Sequence, residues 1–351
     1  MALLEKIFKA AVEHKASDVH VAPGEPIIFR RLGTFVKLKS GDIPPEKTRE
    51  LVFELLSPAQ QESLTRNLQL DFAYEVEGVG RFRGSAMLHN NGLGAVFRVI
   101  PAVIPTLEQL GMPDIVRQAL DNHQGLILVT GATGHGKSTT LAAMVDYINS
   151  NRSHHILTVE DPIEFIHPLK RGVVNQRQLD RDTLSYANAL RAALREDPDV
   201  IVIGELRDLE TIALAISAAE TGHLVIGTLA TSSAAKSVDR IIDAFPPGEQ
   251  NQVRAMVSES LKAVVSQRLI PNKAGTGLEL ALEILIGTLS VANLIRDAKT
   301  FQLQSLMQTG RNIGMQLMDD SLLKLVKEDK IAVEQALAVA SNKKLFQAQV
   351  S

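Results

Sequence analysis

Apolar and polar residues follow two different patterns along the chain, and the change falls about one third of the way along. In the first part, apolar residues at helical spacing predict a helix over residues 3–14, and strict alternation over 70–77 predicts a half-buried strand. Turn residues at 78–80 and 90–92 separate this strand from a return strand and from an apolar run over 95–99. The first part is therefore predicted to be an α+β domain with an antiparallel meander.

Short apolar runs alternate with helical patterns in the second part of the chain. The runs over 126–130, 156–159, 200–203 and 223–228 predict buried strands, with helices between them. Strands that alternate with helices are typical of a parallel sheet with helical crossovers. The second part is therefore predicted to be an α/β domain.

Prolines at positions 101, 105 and 113 punctuate the stretch between these two parts, as is typical of an interdomain linker. After about residue 288 the pattern becomes mainly helical. We therefore predict four segments: a smaller α+β domain over 1–100, a linker over 101–115, an α/β core over 116–287 and a C-terminal helical region over 288–351.

Composition and charge exclude several classes of protein. The chain has 351 residues, an ordinary 45% of apolar residues and a net charge of −3, so no basic field favours nucleic-acid binding. It contains no cysteine, which excludes disulfides and cysteine-based zinc sites. No apolar run approaches the roughly 20 residues of a transmembrane helix, and the N-terminus lacks the apolar core of a signal peptide. We expect a cytoplasmic protein, without direct membrane insertion, that reaches a membrane only through a partner.

The segment Gly131–Ser138 matches the phosphate-binding pattern G-x-x-x-x-G-K-S/T at every fixed position. It lies between a predicted strand and a predicted helix, which disfavours a chance glycine-rich turn, and in this setting backbone N–H groups and the helix dipole face an anion. We expect Lys137 to contact the β- and γ-phosphates of a nucleoside triphosphate, and Ser138 to ligate Mg²⁺. The residues predicted to bind the nucleotide are Thr133, Gly134, His135, Gly136, Lys137, Ser138 and Thr139.

Three polar clusters accompany the other predicted strands, and ligands of open α/β sheets bind at the carboxyl ends of strands. The first cluster, Glu160-Asp161-Pro162-Ile163-Glu164, is either the source of a water-activating base or a polar loop that Pro162 ends. The second, Glu205-Leu206-Arg207-Asp208, follows four apolar residues and a glycine as a Walker B acid would, with glutamate where aspartate is usual. The third spans residues 221–231, with His223 at the start of an apolar strand and Thr228 and Thr231 at its end, where their hydroxyls could meet a phosphate or the catalytic water. We expect all three clusters to converge on the phosphate loop.

These elements, in this order, resemble the secretion ATPase superfamily and, within it, the type IV pilus retraction ATPases. The likeness covers nearly the whole chain. It rests most specifically on the segments 159–165, the family's Asp box, and 204–211, its Walker B, together with the start of its His box at 218–225. Further matching segments are Ser17-Asp18-Val19-His20, Arg81-Phe82-Arg83, Phe97-Arg98-Val99-Ile100-Pro101, Ala234-Ala235-Lys236, Asp239-Arg240, Phe245-Pro246 and Asn293-Leu294-Ile295-Arg296.

The resemblance implies a PAS-like first domain, a RecA-like second domain and a hexameric ring. Each ATP would lie in the cleft between the two domains of one subunit, near a neighbouring subunit. By this likeness Glu164 is the general base, Glu205 acts on Mg²⁺ through water, and the His-box residue His223 belongs to the catalytic set. Arginines of the first domain would approach the phosphates when the cleft closes, and the alternative for them is surface salt bridging from edge strands; they are Arg81, Arg83 and Arg98.

Two positions depart from the family pattern. His135 stands between the two glycines of the loop, where serine is more common, and we expect its imidazole to face solvent or a neighbour. Ala230 stands where the family usually has its second His-box histidine. If that histidine senses the γ-phosphate, this chain lacks the group, and Thr228, Thr231 or a water would replace it.

The resemblance implies Mg²⁺-dependent ATP hydrolysis by a homohexameric motor that powers pilus retraction. The partner would be an inner-membrane platform protein of the pilus, so the motor would lie peripherally at the inner membrane. Extension-type pilus and secretion ATPases are the nearest alternative, but they usually carry a longer N-terminal region and a four-cysteine zinc insertion. A weakly hydrolysing regulatory subunit is a second alternative, which Ala230 favours. A nucleic-acid motor is disfavoured by the net charge of −3 and the absence of Trp.

Overall fold

The computed structural model describes residues 3–31 and 33–347. The chain forms two compact units. One unit comprises the residues up to Val103 together with Pro162–Ile166, and the other comprises Ile104–Asp161 and the residues from His167 onward. The smaller first domain, the α/β class of the larger part and its C-terminal helices are confirmed.

The first unit is built around an antiparallel sheet of strand order β3-β2-β1-β6-β5-β4. The meander predicted from the sequence is its β4-β5-β6 half. The hairpin β2-β3 and the second of the two helices that precede β4 were not predicted. The elements are α1 (Leu3–Glu13), β1 (Asp18–Val21), β2 (Ile28–Arg31), β3 (Thr34–Lys37), α2 (Pro45–Phe53), α3 (Pro58–Asn67), β4 (Gln69–Val76), β5 (Gly80–His89) and β6 (Gly92–Ile100).

An aromatic core joins helix α1 to one face of this sheet. Leu4, Phe8 and Ala11 of α1 recur at helical spacing and are buried. The ring of Phe8 stacks 4.3 Å from that of Phe82 on β5 and lies 4.8 Å from that of Phe97 on β6. Because successive side chains of a strand alternate in direction, the neighbours of Phe82 and Phe97 emerge on the opposite face. Arginines 81, 83 and 98 are those neighbours.

The second unit contains a seven-stranded sheet of order β13-β12-β7-β11-β10-β8-β9, parallel throughout except for the antiparallel pair β12-β13. Its elements up to the hairpin are α4 (Asp114–Leu120), β7 (Gly125–Thr130), α5 (Lys137–Asn151), β8 (His155–Glu160), β9 (Val173–Gln178), α6 (Tyr186–Ala193), β10 (Val200–Ile203), α7 (Leu209–Glu220), β11 (Leu224–Leu229), α8 (Ala234–Asp243), α9 (Gln250–Ser260), β12 (Leu261–Pro271) and β13 (Leu278–Ile286). The helices that follow are α10 (Leu289–Arg296), α11 (Leu303–Thr309), α12 (Met318–Lys327), α13 (Val333–Val339) and α14 (Lys344–Gln347), with single 3₁₀ turns at Thr300–Gln302 and Gly310–Ile313.

The central strands β7, β10 and β11 are buried along their whole length, and helices cover both faces of the sheet. Parallel pairing places the carboxyl ends of β7, β11, β10 and β8 at one edge. Any group that follows one of these strands is therefore held at that edge, which is where an α/β sheet binds ligands.

The stretch predicted as a linker packs largely within the second unit. Leu107 and Met112 are buried in the same core cluster as Val116 of α4 and Ile127 of β7. Residues Ile104–Asp161 belong to the second unit in the structure. Most of the proline-containing stretch is thus packed as part of the second unit.

Candidate functional site

The phosphate loop joins the carboxyl end of β7 to helix α5, as its motif requires. Gly131, Gly134 and Gly136 have positive φ angles of 152°, 83° and 80°, which L-residues with side chains rarely adopt. A Cβ on Gly131 would also lie 2.6 Å from the carbonyl oxygen of Gln267 on β12. These positions therefore need glycine because of backbone conformation and, at Gly131, because of close backbone approach.

The N-terminus of α5 is prepared for an anion. Its N-cap residue, Gly136, provides no side-chain hydrogen bond, and the first turn contains no acidic residue. By contrast, α7 begins with Asp208, whose carboxylate accepts from the Thr211 N–H at 2.9 Å. The first N–H groups of a helix lack intrahelical partners, so those of α5 are left for a ligand of negative charge.

Lys137 lies over the carbonyl groups of the loop that precedes it. Its Nζ donates to the oxygens of Gly131 at 2.8 Å and Ala132 at 3.2 Å. Burial lowers the pKa of Lys137, and the nearby charge of Glu205 partly opposes that shift. The ammonium group and the Walker B glutamate therefore share one electrostatic environment at the carboxyl edge of the sheet, as the sequence predicted.

Glu205 is held at this edge by the backbone on both sides of it. The N–H of Gly204 donates to Val159 on β8, and the N–H of Leu206 donates to Thr228 on β11. The Thr228 hydroxyl donates in turn to the carbonyl oxygen of Gly204. The residue before the glutamate must be small, because a Cβ on Gly204 would lie 3.0 Å from the Tyr186 hydroxyl. Thr228 therefore supports Glu205 rather than facing a phosphate.

Arg207 contacts the carboxylate of Glu205 through a single oxygen, Oε2. Its Nη2 lies 2.7 Å and its Nε 2.8 Å from that atom. Glu160, at the end of β8, accepts from the Thr158 hydroxyl at 2.7 Å and from Nε2 of Gln176 at 3.1 Å. The sequence did not single out Thr158 or Gln176, because their partner lies on the same or a neighbouring strand and no motif spacing signals it.

A buried tyrosine lies among these carboxylates. Burial raises the pKa of Tyr186, and the charge of Asp161 adds to the effect, followed among the acids by Glu205 and Glu160. The tyrosine therefore stays a neutral phenol beside the carboxylates of the first and second clusters. It was missed at the sequence level since a lone tyrosine at the start of a helix gives no signal.

His223 does not join this site within one chain, and its predicted convergence with the phosphate loop is wrong at that level. It precedes the amino end of β11, where its carbonyl accepts from the Gly125 N–H at 3.0 Å. Strands β7 and β11 pair in register from Leu224 with Gly125 to Leu229 with Thr130. Six residues at about 3.3 Å each separate His223 from the loop edge by about 20 Å. The His box spans a whole strand, so only its far end reaches the carboxyl edge.

Thr231 lies at that far end but is already engaged by helix α8. Its hydroxyl oxygen lies 2.6 Å from that of Ser237. Ala230 is exposed between Thr231 and the buried end of β11. The two threonines that the sequence offered as substitutes for a histidine at position 230 thus have protein partners.

The imidazole of His135 packs against β12, contrary to the expectation that it faces solvent or a neighbour. Its Nδ1 accepts from the Leu269 N–H at 2.9 Å. The carbonyl oxygen of His135 accepts from Nε2 of Gln267 at 2.6 Å. Burial lowers the pKa of His135, and the charges of Arg268 and Lys137 lower it further. The imidazole has this partner because β12 lies beside the loop, and the sequence pattern predicted neither β12 nor its hairpin partner.

A cavity of about 470 Å³ opens beside the start of α5, within the second unit. It is lined by the loop and helix residues Gly136, Thr139 and Thr140 and by Gln267 and Leu280 of the hairpin β12-β13. Its volume falls in the range of small-molecule sites, about 300–1,000 Å³. The phosphate loop therefore borders a space that accommodates more than a phosphate group.

The first unit contains the remaining candidate residues. Glu164 belongs to the segment Pro162–Ile166, which packs with this unit. Nη1 of Arg83 lies 3.2 Å from Oε1 of Glu164, and Nη2 of Arg83 lies 3.8 Å from Asp71 on β4. Nε of Arg81 donates to the carbonyl oxygen of Ile163 at 3.1 Å. The structure thus brings two of the predicted arginines to the segment of the predicted base.

Arg98 has a different partner from the other two arginines. Its Nε lies 3.0 Å from Oδ1 of the buried Asp18 on β1, the strand that pairs with β6. Arg98 also stands directly opposite Arg83 in the pairing of β5 with β6. Two positively charged side chains in such positions repel each other. The carboxylates of Asp18 and Glu164, which pair with these arginines, offset that repulsion. Strands β5 and β6 are interior rather than edge strands, but all three arginines form the salt bridges that the structural alternative expects.

The donors present fit a nucleotide-bound metal ion better than an all-protein metal site. No group of three or more His, Asp or Glu side chains within residues 3–31 and 33–347 is placed to hold a metal ion. Ser138 at the start of α5 is exposed, and the carboxylate of Glu205 shares its electrostatic environment with the neighbouring Lys137. A hydroxyl and a carboxylate with oxygens of a phosphate are the ligands that Mg²⁺ prefers. Over the same part of the chain, no helix is both long and apolar enough to cross a membrane.

Comparison with known proteins assigns this architecture to a family. The family described as type II/IV secretion system protein matches residues 1–348. The chain belongs to this family. Pseudomonas aeruginosa PilT, described as a type IV pilus retraction ATPase, is 48% identical over 95% of this chain and 96% of its own length. A twitching motility protein of Neisseria gonorrhoeae is 47% identical over 97% of this chain and 91% of its own. A crystal structure of the pilus retraction motor PilT with bound ADP matches with a TM-score of 0.88, at 46% identity and 99% coverage of both chains.

Proposed function

We propose that this chain is a Mg²⁺-dependent ATPase and the subunit of a homohexameric motor that retracts type IV pili. The observation that carries the ATPase proposal is the joint placement of an uncapped helix N-terminus, Lys137 and Glu205 at one edge of the parallel sheet. The pilus assignment draws on the relatives, since PilT of Pseudomonas aeruginosa and the gonococcal twitching motility protein align over nearly the whole chain.

In this proposal the loop residues from Thr133 to Thr139 bind the triphosphate through backbone N–H groups. Lys137 exchanges the carbonyl oxygens of Gly131 and Ala132 for phosphate oxygens, which places its positive charge where negative charge develops during transfer. Ser138 and Glu205 would hold Mg²⁺, which supplies charge neutralisation of the phosphates when it is bound.

Glu164 is proposed as the general base that takes a proton from, or orients, the attacking water. Its carboxylate must accept that proton, so its pairing with Arg83 at 3.2 Å has a consequence. The guanidinium group occupies a carboxylate oxygen that the attacking water would have to reach. We infer that hydrolysis requires Arg83 to leave Glu164 and to approach the phosphates, as arginine fingers do. Arg81 and Arg98 are proposed to support the same step.

The motor would act in the cytoplasm and reach the inner membrane through a platform protein of the pilus. This part of the proposal rests on the family resemblance, since the Pseudomonas aeruginosa relative is described as a type IV pilus retraction ATPase. Nothing in the composition favours nucleic acid as the alternative cargo, since the net charge is −3.

The proposal is tested on the purified full-length chain by steady-state ATPase assay with Mg²⁺ and with EDTA. We expect turnover with Mg²⁺ only, and a hexamer in analytical ultracentrifugation. Expression in a bacterium that lacks its own retraction ATPase should restore twitching, whereas the Lys137→Ala variant should not. Turnover without restored twitching would favour an extension-type or secretion motor over the retraction motor.

A weakly hydrolysing regulatory subunit remains a second candidate because of Ala230. The threonines that flank it already bond within the protein, Thr228 to Gly204 and Thr231 to Ser237. Neither the methyl group of Ala230 nor these two bonded hydroxyls is therefore available to sense a γ-phosphate. ATP binding with micromolar affinity and turnover below about 10⁻² s⁻¹, against a common enzyme range of about 1–10³ s⁻¹, would favour this candidate.

A further inference from the structure

We propose that His135 is a positioning residue, which fixes the phosphate loop to strand β12 through the unprotonated Nδ1 of its imidazole. The proposal rests on the nucleotide-binding function proposed above and extends it to a contact outside the loop motif. It concerns a side chain at a position that the motif leaves unspecified.

Two hydrogen bonds of opposite direction join the loop to β12. The Leu269 N–H donates to His135 Nδ1 at 2.9 Å, and Gln267 Nε2 donates to the His135 carbonyl oxygen at 2.6 Å. The contact is tight at the base of the loop as well, where Gly131 approaches the Gln267 carbonyl oxygen. The apex of the loop is therefore bonded to two residues of β12, Gln267 and Leu269, and the first residue of the loop lies close to one of them, Gln267.

The sheet itself creates the need for this contact. Strand β12 pairs with β7 only as far as Ser266 with Thr130, because β7 ends there. On its other side β12 continues to pair with β13 through Leu269 with Leu280. The Leu269 N–H thus lies beyond the end of β7, and the backbone donor of this half-buried residue needs an acceptor from the protein or from water. The imidazole of His135 supplies the acceptor that β7 no longer offers.

Only a neutral imidazole with a lone pair on Nδ1 can accept this bond. The charged groups that face the ring are Lys137 on the loop side and Arg268 on β12. Both disfavour protonation, and burial acts in the same direction, so the pKa of His135 is lowered. Protonation at acidic pH would convert Nδ1 into a donor that opposes the Leu269 N–H, and the loop would lose its attachment to β12.

Gln267 supplies the second half of the attachment and has an unused group. It is buried, and its Oε1 has no hydrogen-bond partner among the described residues. A buried oxygen without a hydrogen bond costs free energy. The hydrogen bond that the amide nitrogen donates to His135 offsets part of that cost. The amide is turned so that its N–H group, rather than its oxygen, serves His135. The side chain is therefore committed to the loop.

Fixing the loop before nucleotide binds should improve affinity more than turnover. Lys137 and Ser138 follow His135 after a single residue, Gly136, so the position of the apex affects where their backbone N–H groups point. A hydrogen bond of ordinary net strength corresponds to about a 5-fold change in dissociation constant. The expected signature of a lost attachment is thus a weaker nucleotide complex with little change in the rate of the chemical step.

The test compares His135→Ala, His135→Asn and His123→Ala in the full-length protein. The asparagine Oδ1 offers an acceptor close to the position of Nδ1, and His123 is an exposed histidine ahead of β7. A fluorescent ADP analogue is titrated with Mg²⁺ between pH 5.5 and 8. We expect His135→Ala to raise the dissociation constant about 5-fold at pH 8, His135→Asn to recover most of that loss, and His123→Ala to match the wild type. The wild type should bind more weakly at the acid end, and His135→Asn should lack that part of the pH dependence.

Hydrogen exchange gives a readout that does not require nucleotide. Peptides that contain Leu269 should exchange faster in His135→Ala than in His135→Asn or the wild type. Equal dissociation constants and equal exchange for His135→Ala and His123→Ala would overturn the proposal. So would a His135→Asn variant that binds as weakly as His135→Ala with an unchanged pH profile. A wild-type protein that fails to bind ADP would instead overturn the nucleotide-binding function itself. If His135→Ala does not fold, the comparison of His135→Asn with the wild type across pH decides alone.

Discussion

Nη1 of Arg83 lies 3.2 Å from Oε1 of Glu164, across 81 positions of sequence and within the first structural unit. Arg83 is proposed to act on the γ-phosphate and Glu164 on the attacking water, and the structure shows the two side chains bound to each other. Their pairing engages both the carboxylate of the proposed base and the positive charge that is proposed to stabilise the transition state. In this proposal Arg83 does not bind Glu164 and the phosphates at the same time.

Arg83→Ala should therefore reduce ATP turnover far more than stability. The Arg83 side chain is 35% exposed, so its loss as an ion-pair partner should cost no more than about 1 kcal/mol of unfolding free energy. Removal of a finger arginine costs about 10³-fold or more in related nucleotide hydrolases. Turnover and thermal unfolding are measured side by side, with Arg66→Ala, which removes an exposed pair with Glu62, as the control. A small loss of turnover would assign Arg83 to structure alone.

Lys137→Ala should abolish turnover because the transferring phosphate loses its fixed positive charge. The folded protein should tolerate the change, since the lysine bonds only to two carbonyl oxygens of its own loop. The measurement is steady-state ATPase activity at saturating ATP, and Lys299→Ala, which removes an exposed pair with Asp297, is the control. Near-normal turnover would contradict the assignment of the loop.

Glu164→Gln and Glu205→Gln should each block hydrolysis and preserve ATP binding. The amide has nearly the shape of the carboxylate but neither accepts a proton from water nor carries charge for a metal ion. Equilibrium titration and single-turnover kinetics separate the two effects, and Glu210→Gln at the start of α7 provides the control. Loss of affinity without loss of rate would make these residues structural.

Arg98→Ala should destabilise the first unit, in contrast to Arg83→Ala. Its partner Asp18 is buried and would lose its ion-pair partner without the guanidinium group. The expected loss is about 1–3 kcal/mol of unfolding free energy. The double variant Asp18→Asn/Arg98→Ala should recover part of the loss, since no buried charge remains. Chemical denaturation of the three variants measures both effects, and equal stability of Arg98→Ala and the wild type would contradict the pairing.

Stability should fall as the solution is acidified from about pH 6.5 to about pH 4, because His167 is neutral in the folded protein. Burial lowers its pKa from 6.5 to about 4. The unfolded chain takes up a proton below its own pKa, while the folded chain does so only near pH 4, so acid favours unfolding across this window. The loss attributable to this residue amounts to about 3 kcal/mol.

Denaturation curves at pH 7, 5.5 and 4.5 for the wild type and His167→Gln test this expectation. The glutamine removes the titrating group, so the variant should lose less stability on acidification, whatever its stability at pH 7. His89→Gln, which changes an exposed histidine on β5, controls for general effects of histidine removal. Parallel pH dependence of His167→Gln and the wild type would contradict the assignment.

The sequence predicted the parts of the fold whose pattern is strong and local. Strands β7, β10 and β11 are buried on both faces and therefore appear as unbroken apolar runs. Strand β9 was missed because its sequence, Val-Val-Asn-Gln-Arg-Gln, is mostly polar and its residues are only partly buried. The hairpin β12-β13 was missed because Ser266, Gln267 and Arg268 interrupt the apolar run of β12.

The candidate site likewise contains contacts that the sequence predicted and contacts that it did not. Lys137 and Glu205 were predicted to meet because both follow parallel strands, and their proximity rests on topology alone. The partners Glu164 with Arg83, and His135 with Leu269, lie 81 and 134 positions apart and belong to no motif. Pairings of that kind depend on the tertiary fold, which residue spacing does not encode.

The segment Pro162–Ile166 makes the chain cross between the two units more than once. The backbone passes from the first unit to the second after Val103, returns after Asp161 and leaves again after Ile166. Three covalent crossings thus connect the units where a simple two-domain protein has one. Cutting the chain before residue 104 therefore leaves the Glu164 segment behind without the strands that hold it. An ATPase core without the first unit would keep the phosphate loop and lose the support of its proposed base.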